Sequence, residues 1–320
     1  MVEWHSYRRK GTSRFDSGTA GQTYIYYRRK HHAREAHYGS IRVLTTRGKM
    51  KVKKYVCMAG KSIITEIKVT SGDHKGKRGP KRNITSEMVQ KNNDRLAVLN
   101  LTKKLNANFG DGDMHITLTY KEIPELTVAK RDRKNFIERV KYRLKKQGKE
   151  LKAVCVTEYE NKRPHHHIVI NTNDMELIAD CWQKGFVHSS PLDETGNYNK
   201  LAEYLIKETS KTFRRPDAVH KKRYTCIGKL ANPVTTEHDS SYEELIDDPK
   251  PIAGYYIPED CARKFEHPVT GLEHQEYIQV AINEPRKFKK WPKGKIVSAR
   301  EKFKPDYFEE QLGIDEMLIF

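Results

Sequence analysis

The stretch Arg163-Pro164-His165-His166-His167-Ile168-Val169-Ile170 concentrates three imidazoles next to an apolar run, which predicts a strand over residues 165–170. Residues two apart in a strand share a face, so His165 and His167 point to one side and His166 to the other. The run 151–158 before it is also strand-like, and the four residues 160–163 form a loop of hairpin length. The sequence therefore predicts a β-hairpin that carries two imidazoles on one face.

The register of this hairpin brings a carboxylate beside the imidazoles. Closing it with loop 160–163 pairs Glu158 with His165 and Val156 with His167, and directly paired residues share a face. Two imidazoles and one carboxylate leave positions open for water or phosphate. This mixed nitrogen and oxygen set suits Mg²⁺ or Mn²⁺, and zinc remains an alternative. The other interpretation is a histidine-rich basic hairpin that contacts phosphates without a metal.

A helix predicted over residues 198–209 carries the second feature. At 100° per residue, Leu201, Leu205 and Ile206 fall on one arc, which predicts the buried face. Tyr204 falls on the polar side, which it shares with Lys200, Lys207 and Lys211. Ammonium groups favour a phenolate, so we expect them to lower a pKa that starts near ~10. Such a tyrosine is suited to be a nucleophile, although the alternative is an ordinary surface tyrosine.

The order of the predicted elements indicates the fold class. Helices are predicted over 85–108, 127–147 and 175–183, with a strand over 115–120 and the hairpin between them. This order predicts an α+β fold with a central antiparallel β-sheet and helices packed on one face of it.

The chain outside this region predicts three segments. A basic, β-rich N-terminal segment spans 1–83, the central domain spans 84–230, and a small C-terminal accessory module spans 231–320. Strand-like runs in the first segment lie at 23–27, 41–46, 50–58 and 62–69. The acidic run 237–251 lacks apolar periodicity and is predicted to be a linker.

The charge indicates a polyanionic partner. The 320 residues include 61 Lys or Arg against 42 Asp or Glu, a formal charge of +19. The charge is +16 over residues 1–100, +9 over 101–230 and −6 over 231–320. A basic surface of this size fits nucleic acid, but electrostatics alone carries no sequence information.

Other classes of protein are excluded by composition. No apolar run approaches the roughly 20 residues that a membrane span needs, and residues 1–14 lack the apolar core of a secretory signal. The five Cys contain no Cys-x-x-Cys pair, which argues against a disulfide framework or a cysteine zinc site. The sequence predicts a cytoplasmic protein.

Three motifs in order resemble the HUH endonucleases, in their rolling-circle replication initiator (Rep) branch of phage and plasmid type. They are His115-Ile116-Thr117-Leu118-Thr119-Tyr120, then Arg163-Pro164-His165-His166-His167, then Tyr204-Leu205-Ile206-Lys207. Two positions depart from the pattern. His166 stands where the family usually has a hydrophobic residue, and Lys200 stands where two-tyrosine relatives have a second tyrosine. The resemblance is to the single-tyrosine type, with Tyr198 as a second candidate.

The resemblance implies an activity. Tyr204 would nick single-stranded DNA at an origin, leaving a 5′-phosphotyrosine and a free 3′-OH for rolling-circle replication, and would later rejoin the ends. Glu158, His165 and His167 would hold Mg²⁺ or Mn²⁺, and Lys207 would stabilise the developing charge. His115, Thr117 and Thr119 share a face and are expected either near the site or simply at the end of a strand.

The implied setting is a mobile element in a bacterial cytoplasm. Gly60-Lys61-Ser62 lacks the first Gly of a phosphate-binding loop, since position 55 is Tyr55, so no nucleotide cofactor is expected. A host helicase and DNA polymerase are therefore expected partners, and a membrane is not. The alternatives are a transposase or relaxase with the same tyrosine chemistry, or a non-catalytic basic nucleic-acid-binding protein.

The predicted DNA-binding residues lie in two places. Lys200, Lys211 and Arg163 flank the predicted site. Arg28, Arg29 and Lys30 follow Tyr24-Ile25-Tyr26-Tyr27, where aromatics and cations interleave as in single-strand binders. The alternative is that these tyrosines belong to an ordinary β-sheet.

Overall fold

The computed structural model describes residues 50–70, 87–159, 163–210, 213–214, 222–268 and 271–283, and the backbone of 295–296. The described residues form two antiparallel sheets and four α-helices, which confirms the predicted α+β class. The predicted strands at 23–27 and 41–46, and the basic run 72–82, lie outside the described residues.

The helices run in chain order as α1 (Glu87–Asn106), α2 (Leu126–Lys146), α3 (Met175–Trp182) and α4 (Asn199–Ser210). The strands are β1 (Lys51–Ala59), β2 (Ser62–Thr70), β3 (Met114–Leu118), β4 (Ala153–Glu158), β5 (His165–Ile170), β6 (Val187–Pro191), β7 (Thr225–Ile227), β8 (Thr235–Ser240), β9 (Tyr255–Tyr256), β10 (Ala262–Glu266), β11 (Glu273–Ala281) and β12 (Lys295–Ile296). A short 3₁₀ helix covers Tyr242–Glu244.

The seven-stranded sheet combines strands from distant parts of the sequence. Its order is β10-β11-β2-β1-β8-β12, and β9 pairs with β11. Strands from the predicted segments 1–83 and 231–320 therefore lie side by side in one sheet. The prediction of a linker over 237–251 is wrong for its first residues, because β8 pairs along β1 there. Pairing with β1 makes a strand of a run that has no apolar alternation of its own.

The five-stranded sheet has the order β6-β3-β5-β4-β7, with every pair antiparallel. Strands β3, β4 and β5 follow the prediction to within two residues at each end. The edge strands β6 and β7 were not predicted. Each is short and supplies few apolar residues, so pairing with a neighbour, rather than local pattern, makes it a strand.

Helices cover both faces of the five-stranded sheet, so the prediction of one covered face is wrong. Buried residues of α2 and α3, including Phe136 and Ile178, pack on the face that carries Ile116 and Ile168. Buried residues of α1 and α4 pack on the opposite face, against Val154, Val156 and Val169. Alternation along β5 supplies apolar residues to both faces, and the order of elements alone does not say which face a helix takes.

Helix α1 links the two sheets. Leu101 and Leu105 pack with α4 on the five-stranded sheet, while Leu99 packs against Cys57 and Ile64 of the seven-stranded sheet. All five cysteines are free thiols. No helix among the described residues is both long and apolar enough to cross a membrane.

Candidate active site

The predicted hairpin register is confirmed. Glu158 pairs with His165 and Val156 pairs with His167 across β4 and β5. On the other side of β5, Thr117 of β3 pairs with His167. Because paired residues share a face, Glu158, His165, His167 and Thr117 all lie on the side of the sheet that α1 and α4 cover.

Tyr204 reaches this face from α4. Its hydroxyl oxygen lies 3.5 Å from Nε2 of His167, and the two rings meet edge to face with centroids 5.2 Å apart. The same Nε2 lies 3.6 Å from a carboxylate oxygen of Glu158. The Tyr204 side chain remains 41% exposed, so an external substrate can reach its oxygen.

Thr117 orients His167 from the opposite side. Its Oγ1 lies 3.2 Å from Nδ1 of His167. When Nδ1 carries the proton and donates it to Thr117, the lone pair of Nε2 faces Tyr204 and Glu158. A hydrogen bond to one ring nitrogen selects the chemistry of the other in this way.

His115 completes the row of rings. It stacks on His167 with centroids 5.6 Å apart and meets Tyr204 edge to face at 6.3 Å. Burial, and then the neighbouring His167, lower the pKa of His115 to about 4, so the ring is neutral at neutral pH. Its buried Nε2 has no hydrogen-bond partner among the described residues. His115 therefore lies at the site, as one of the two interpretations of its position expected.

The predicted metal ligands are chemically suited but do not form a closed cluster. Burial, and then His165, lower the pKa of His167 to about 4, so its imidazole is neutral, as a ligand must be. The buried Nδ1 of His165 has no hydrogen-bond partner in the described part of the chain. Glu158 is buried beside them. No three His, Cys, Asp or Glu side chains among the described residues are grouped as a metal site.

His166 belongs to the core on the other side of the sheet. It is fully buried, its Nε2 lies 2.9 Å from the hydroxyl of Tyr120, and its Nδ1 lies 3.0 Å from Oγ1 of Thr157. Its ring also meets Trp182 edge to face, with centroids 5.8 Å apart. Both ring nitrogens are engaged, so His166 takes the place of a core hydrophobic residue.

The expectation that lysines lower the pKa of Tyr204 is wrong. Burial raises this pKa, and the carboxylates of Glu208 and Glu158 raise it further. Glu208 lies four residues along α4 and so faces Tyr204, which the count of lysines on the helix ignored. The ammonium groups of Lys200 and Lys207 are exposed, and water screens them.

The other candidate residues are distributed as follows. Tyr198 is buried and donates its hydroxyl to the carbonyl oxygen of Asp193, so it supports the start of α4. Lys207 lies one turn from Tyr204 on α4. Lys211, Arg28, Arg29 and Lys30 lie outside the described residues.

Two further candidates are bound to the backbone. Arg163 donates to the carbonyl oxygens of Tyr120 and Lys121, which ties the start of β5 to the end of β3. Thr119 lies past the end of β3 and exchanges hydrogen bonds with the backbone of Phe186. Both hold the sheet together at the edge of the site.

Buried hydrogen bonds fix the start of α4. Asn106 at the end of α1 donates to Oγ of Ser62 on β2 and accepts from the backbone N–H of Tyr198. Oγ of Ser62 donates in turn to the carbonyl oxygen of Gly196. The seven-stranded sheet thereby sets where α4, and with it Tyr204, lies.

A cavity of about 530 Å³ opens beside the row of rings. His115 and Ser190 line one side, α4 contributes Lys200 and Glu203, and the turn Pro258–Cys261 of the C-terminal region closes the other side. Parts of both sheets therefore border the space next to Tyr204.

One polar residue of this face was not predicted. His188 of β6 pairs with Thr117, so it shares the face of the site, and its side chain is exposed. Nothing in its neighbourhood indicated this position, because the strand Val187-His188-Ser189-Ser190-Pro191 has a single apolar residue pointing each way at most.

Comparison with known proteins gives one family. Residues 113–213, about a third of the chain, match the model of a family of replication-associated proteins, described as ORF2 proteins. The match includes all of the five-stranded sheet except β7, and helices α2 to α4. No curated protein and no solved structure matches the chain. The match associates this part of the chain with DNA replication.

Proposed function

We propose that the chain is a replication initiator of the HUH type that nicks single-stranded DNA at an origin with Tyr204 as nucleophile. The observation that carries the proposal is the convergence of Tyr204, His167 and Glu158 within 3.6 Å of one imidazole nitrogen. A structural tyrosine would have its hydroxyl buried in a hydrogen bond, as Tyr198 does. The match to a replication-associated family supports replication over transposition or conjugation.

The reaction exchanges one phosphodiester for another. The phenol oxygen of Tyr204 attacks the scissile phosphorus, the bond from phosphorus to the 3′ oxygen breaks, and the phenol proton is balanced by the one that the 3′ oxygen gains. The products are a 5′-phosphotyrosine and a free 3′-OH that primes synthesis. Because a phosphodiester is conserved, the reverse attack by a 3′-OH rejoins the ends without ATP.

The residues of the sheet are suited to bind a divalent metal. Glu158, His165 and His167 would hold Mg²⁺ or Mn²⁺, which would neutralise charge on the scissile phosphate. The neutral imidazole of His167 and the unpartnered Nδ1 of His165 support this assignment. Lys207 lies beside Tyr204 to stabilise negative charge on the phosphate, with His115 against the tyrosine ring.

The substrate is a flexible single strand, and the cavity beside His115 has room for a nucleotide next to the scissile phosphate. Strand separation and synthesis would come from a host helicase and a host DNA polymerase, in the cytoplasm of a bacterial host. The 3′-OH left by the nick is what such a polymerase extends.

Covalent capture tests the proposal. Purified protein is incubated with Mn²⁺ and a pool of single-stranded oligonucleotides of randomised sequence, and adducts are separated on a denaturing gel. We expect an adduct with the wild-type protein and none with Tyr204→Phe. Tyr142→Phe is the matched control, because Tyr142 is exposed on α2 at the opposite face of the sheet.

A second set of variants tests the metal ligands. His165→Ala and His167→Ala should abolish the adduct, and so should a chelator, whereas His267→Ala on the seven-stranded sheet should retain it. An adduct formed by Tyr204→Phe would overturn the assignment of the nucleophile. An undiminished adduct with both histidine variants would overturn the metal site.

A further inference from the structure

Helix α2 carries a large excess of positive charge that no part of the proposed reaction uses. Its 21 residues include nine basic and two acidic side chains, a net charge of +7. By comparison, α1 carries four basic and two acidic residues, and α4 carries two of each. Helix α2 thus supplies over a third of the net charge of +19 from about 7% of the chain.

The cations of α1 show what a structural role looks like. Lys91 pairs with Glu87, Arg95 with Glu276, and Lys103 with Glu66. On α2, the side facing α3 behaves similarly: Arg143 pairs with Asp180, and Arg139 donates to the carbonyl oxygen of Cys181. Charge on that side is locally balanced.

The solvent side of α2 is not balanced. We define the basic stripe as Arg131, Lys134, Lys141 and Lys145, which are all exposed. At 100° per residue these four lie within an arc of about 80°, with Glu138 as the acidic residue in the same region. Within the described part of the chain, none of the four has an ion-pair partner. Four like charges on one exposed arc repel one another, and a polyanion would relieve that repulsion.

The geometry of the stripe fits a rigid partner. From Arg131 to Lys145 the helix rises about 21 Å, at 1.5 Å per residue. That length matches about six phosphates along one strand of a duplex, at 3.4 Å per step. Single strands are usually held by exposed aromatic rings on which bases stack. The exposed ring nearest the stripe, Tyr142, is already covered by the ammonium group of Lys146.

The apolar face of α2 argues against a lipid surface. Phe136, Val140 and Leu144 are buried in the core of the five-stranded sheet, so the helix has no apolar face left to insert into a bilayer. Since α2 and α4 cover opposite faces of that sheet, the stripe and Tyr204 point in different directions.

We propose that the basic stripe binds the phosphate backbone of double-stranded DNA, while the opposite face handles the single strand. The inference rests on the proposed function only in taking DNA as the polyanion. The nuclease would thereby hold the duplex that flanks its single-stranded substrate, so nicking stays close to the origin.

The salt dependence of duplex binding tests the stripe. The Tyr204→Phe protein is titrated with a labelled duplex of about 20 base pairs at several salt concentrations, because log K falls by about 0.9 per log unit of salt for each phosphate contact. Replacing all four stripe residues by Gln should weaken binding and make the slope shallower by about three units. The single variants Lys134→Gln and Lys141→Gln should each change the slope by about one unit.

A matched variant removes the same total charge elsewhere. Lys91, Lys229, Lys250 and Lys264 replaced by Gln should leave the slope close to that of the parent protein. Equal slopes for the two quadruple variants would overturn the stripe. So would a parallel loss of binding to a single-stranded oligonucleotide, or loss of binding to vesicles of phosphatidylserine with unchanged duplex binding.

The two proposals fail separately. The stripe variant with Tyr204 intact should still form the covalent adduct on single-stranded oligonucleotides. Absence of any adduct with the wild-type protein, together with a shallower slope in the stripe variant, would reject the nicking reaction alone. An adduct together with an unchanged slope would reject the stripe alone.

Discussion

Nε2 of His167 lies 3.5 Å from the hydroxyl oxygen of Tyr204 and 3.6 Å from the carboxylate of Glu158. One lone pair cannot bind a metal and accept the tyrosine proton at once. In the proposed reaction this nitrogen is a ligand, so the proton leaves Tyr204 by another route. The orientation of His167 then decides whether its lone pair faces the metal.

Thr117 is the residue that sets this orientation, since its Oγ1 lies 3.2 Å from Nδ1 of His167. We expect Thr117→Val to weaken Mn²⁺ binding and nicking by about 10- to 100-fold, the usual effect of losing a hydrogen bond behind a metal ligand. Mn²⁺ affinity measured by calorimetry gives a readout that does not depend on DNA.

The control for Thr117 is the conservative change. Thr117→Ser keeps the hydroxyl and should restore most of the Mn²⁺ affinity, whereas Thr117→Val keeps the volume without it. If Val and Ser behave alike, Thr117 does not orient His167 through its hydroxyl.

The sequence was sufficient for features that depend on local periodicity. A strand period of two and a short loop determined the pairing of Glu158 with His165, and a helix period of 3.6 put Tyr204 on the exposed side of α4. The placement of β6, and so of His188, depends on pairing with β3 and leaves little trace in the local pattern. The pKa of Tyr204 was mispredicted because burial and Glu208 outweigh solvated lysines.

Gly185 allows a close approach beside the site. A Cβ at this position would lie 2.3 Å from the carbonyl oxygen of Thr119 and 2.8 Å from the backbone nitrogen of Lys121. Both contacts are with backbone, so the end of β3 would have to move. We expect Gly185→Ala to lower the free energy of unfolding by about 2 kcal/mol or more, measured by urea denaturation.

Gly110 provides the comparison for Gly185. A Cβ there would meet nothing within 4 Å, and its φ is not positive. Gly110→Ala should therefore leave stability unchanged or slightly raised, because Ala restricts the unfolded chain. Similar losses from the two substitutions would contradict a steric role for Gly185.

Glu276 joins α1 to the seven-stranded sheet. Its buried carboxylate pairs with Arg95 and accepts two hydrogen bonds from Arg263, at 3.0 and 2.9 Å. Glu276→Ala would leave Arg95 buried without its counter-charge, which typically costs about 3–5 kcal/mol of stability. Urea denaturation measures the loss.

Removing both charges separates the pair from its burial. Arg95→Met together with Glu276→Leu should recover much of the stability lost in Glu276→Ala, because neither change leaves an unpaired buried charge. Glu87→Gln, which breaks an exposed pair with Lys91 on the same helix, should have no measurable effect. A double variant as unstable as Glu276→Ala would mean that packing around the pair, rather than its charge, is what matters.

His274 makes stability depend on pH. Burial lowers its pKa to about 4, against the opposing effect of its hydrogen bond to the carbonyl oxygen of Val69, and His267, Lys68 and Arg95 lower it further. The ring is therefore neutral in the folded protein at a pH where the unfolded chain, with a pKa near ~6.5, is protonated. Unfolding takes up a proton, so stability falls as pH decreases from about 6.5 to about 4.

His274→Gln should remove this part of the pH dependence. Other histidines contribute equally to both proteins, so the difference between wild type and variant isolates His274. We expect that difference to change by up to about 3 kcal/mol between pH 7 and pH 4, because one pKa unit corresponds to about 1.4 kcal/mol. Urea denaturation at several pH values, with a chelator present to exclude metal binding, measures it. Parallel curves for the two proteins would show that His274 is protonated as easily in the folded state as in the unfolded chain.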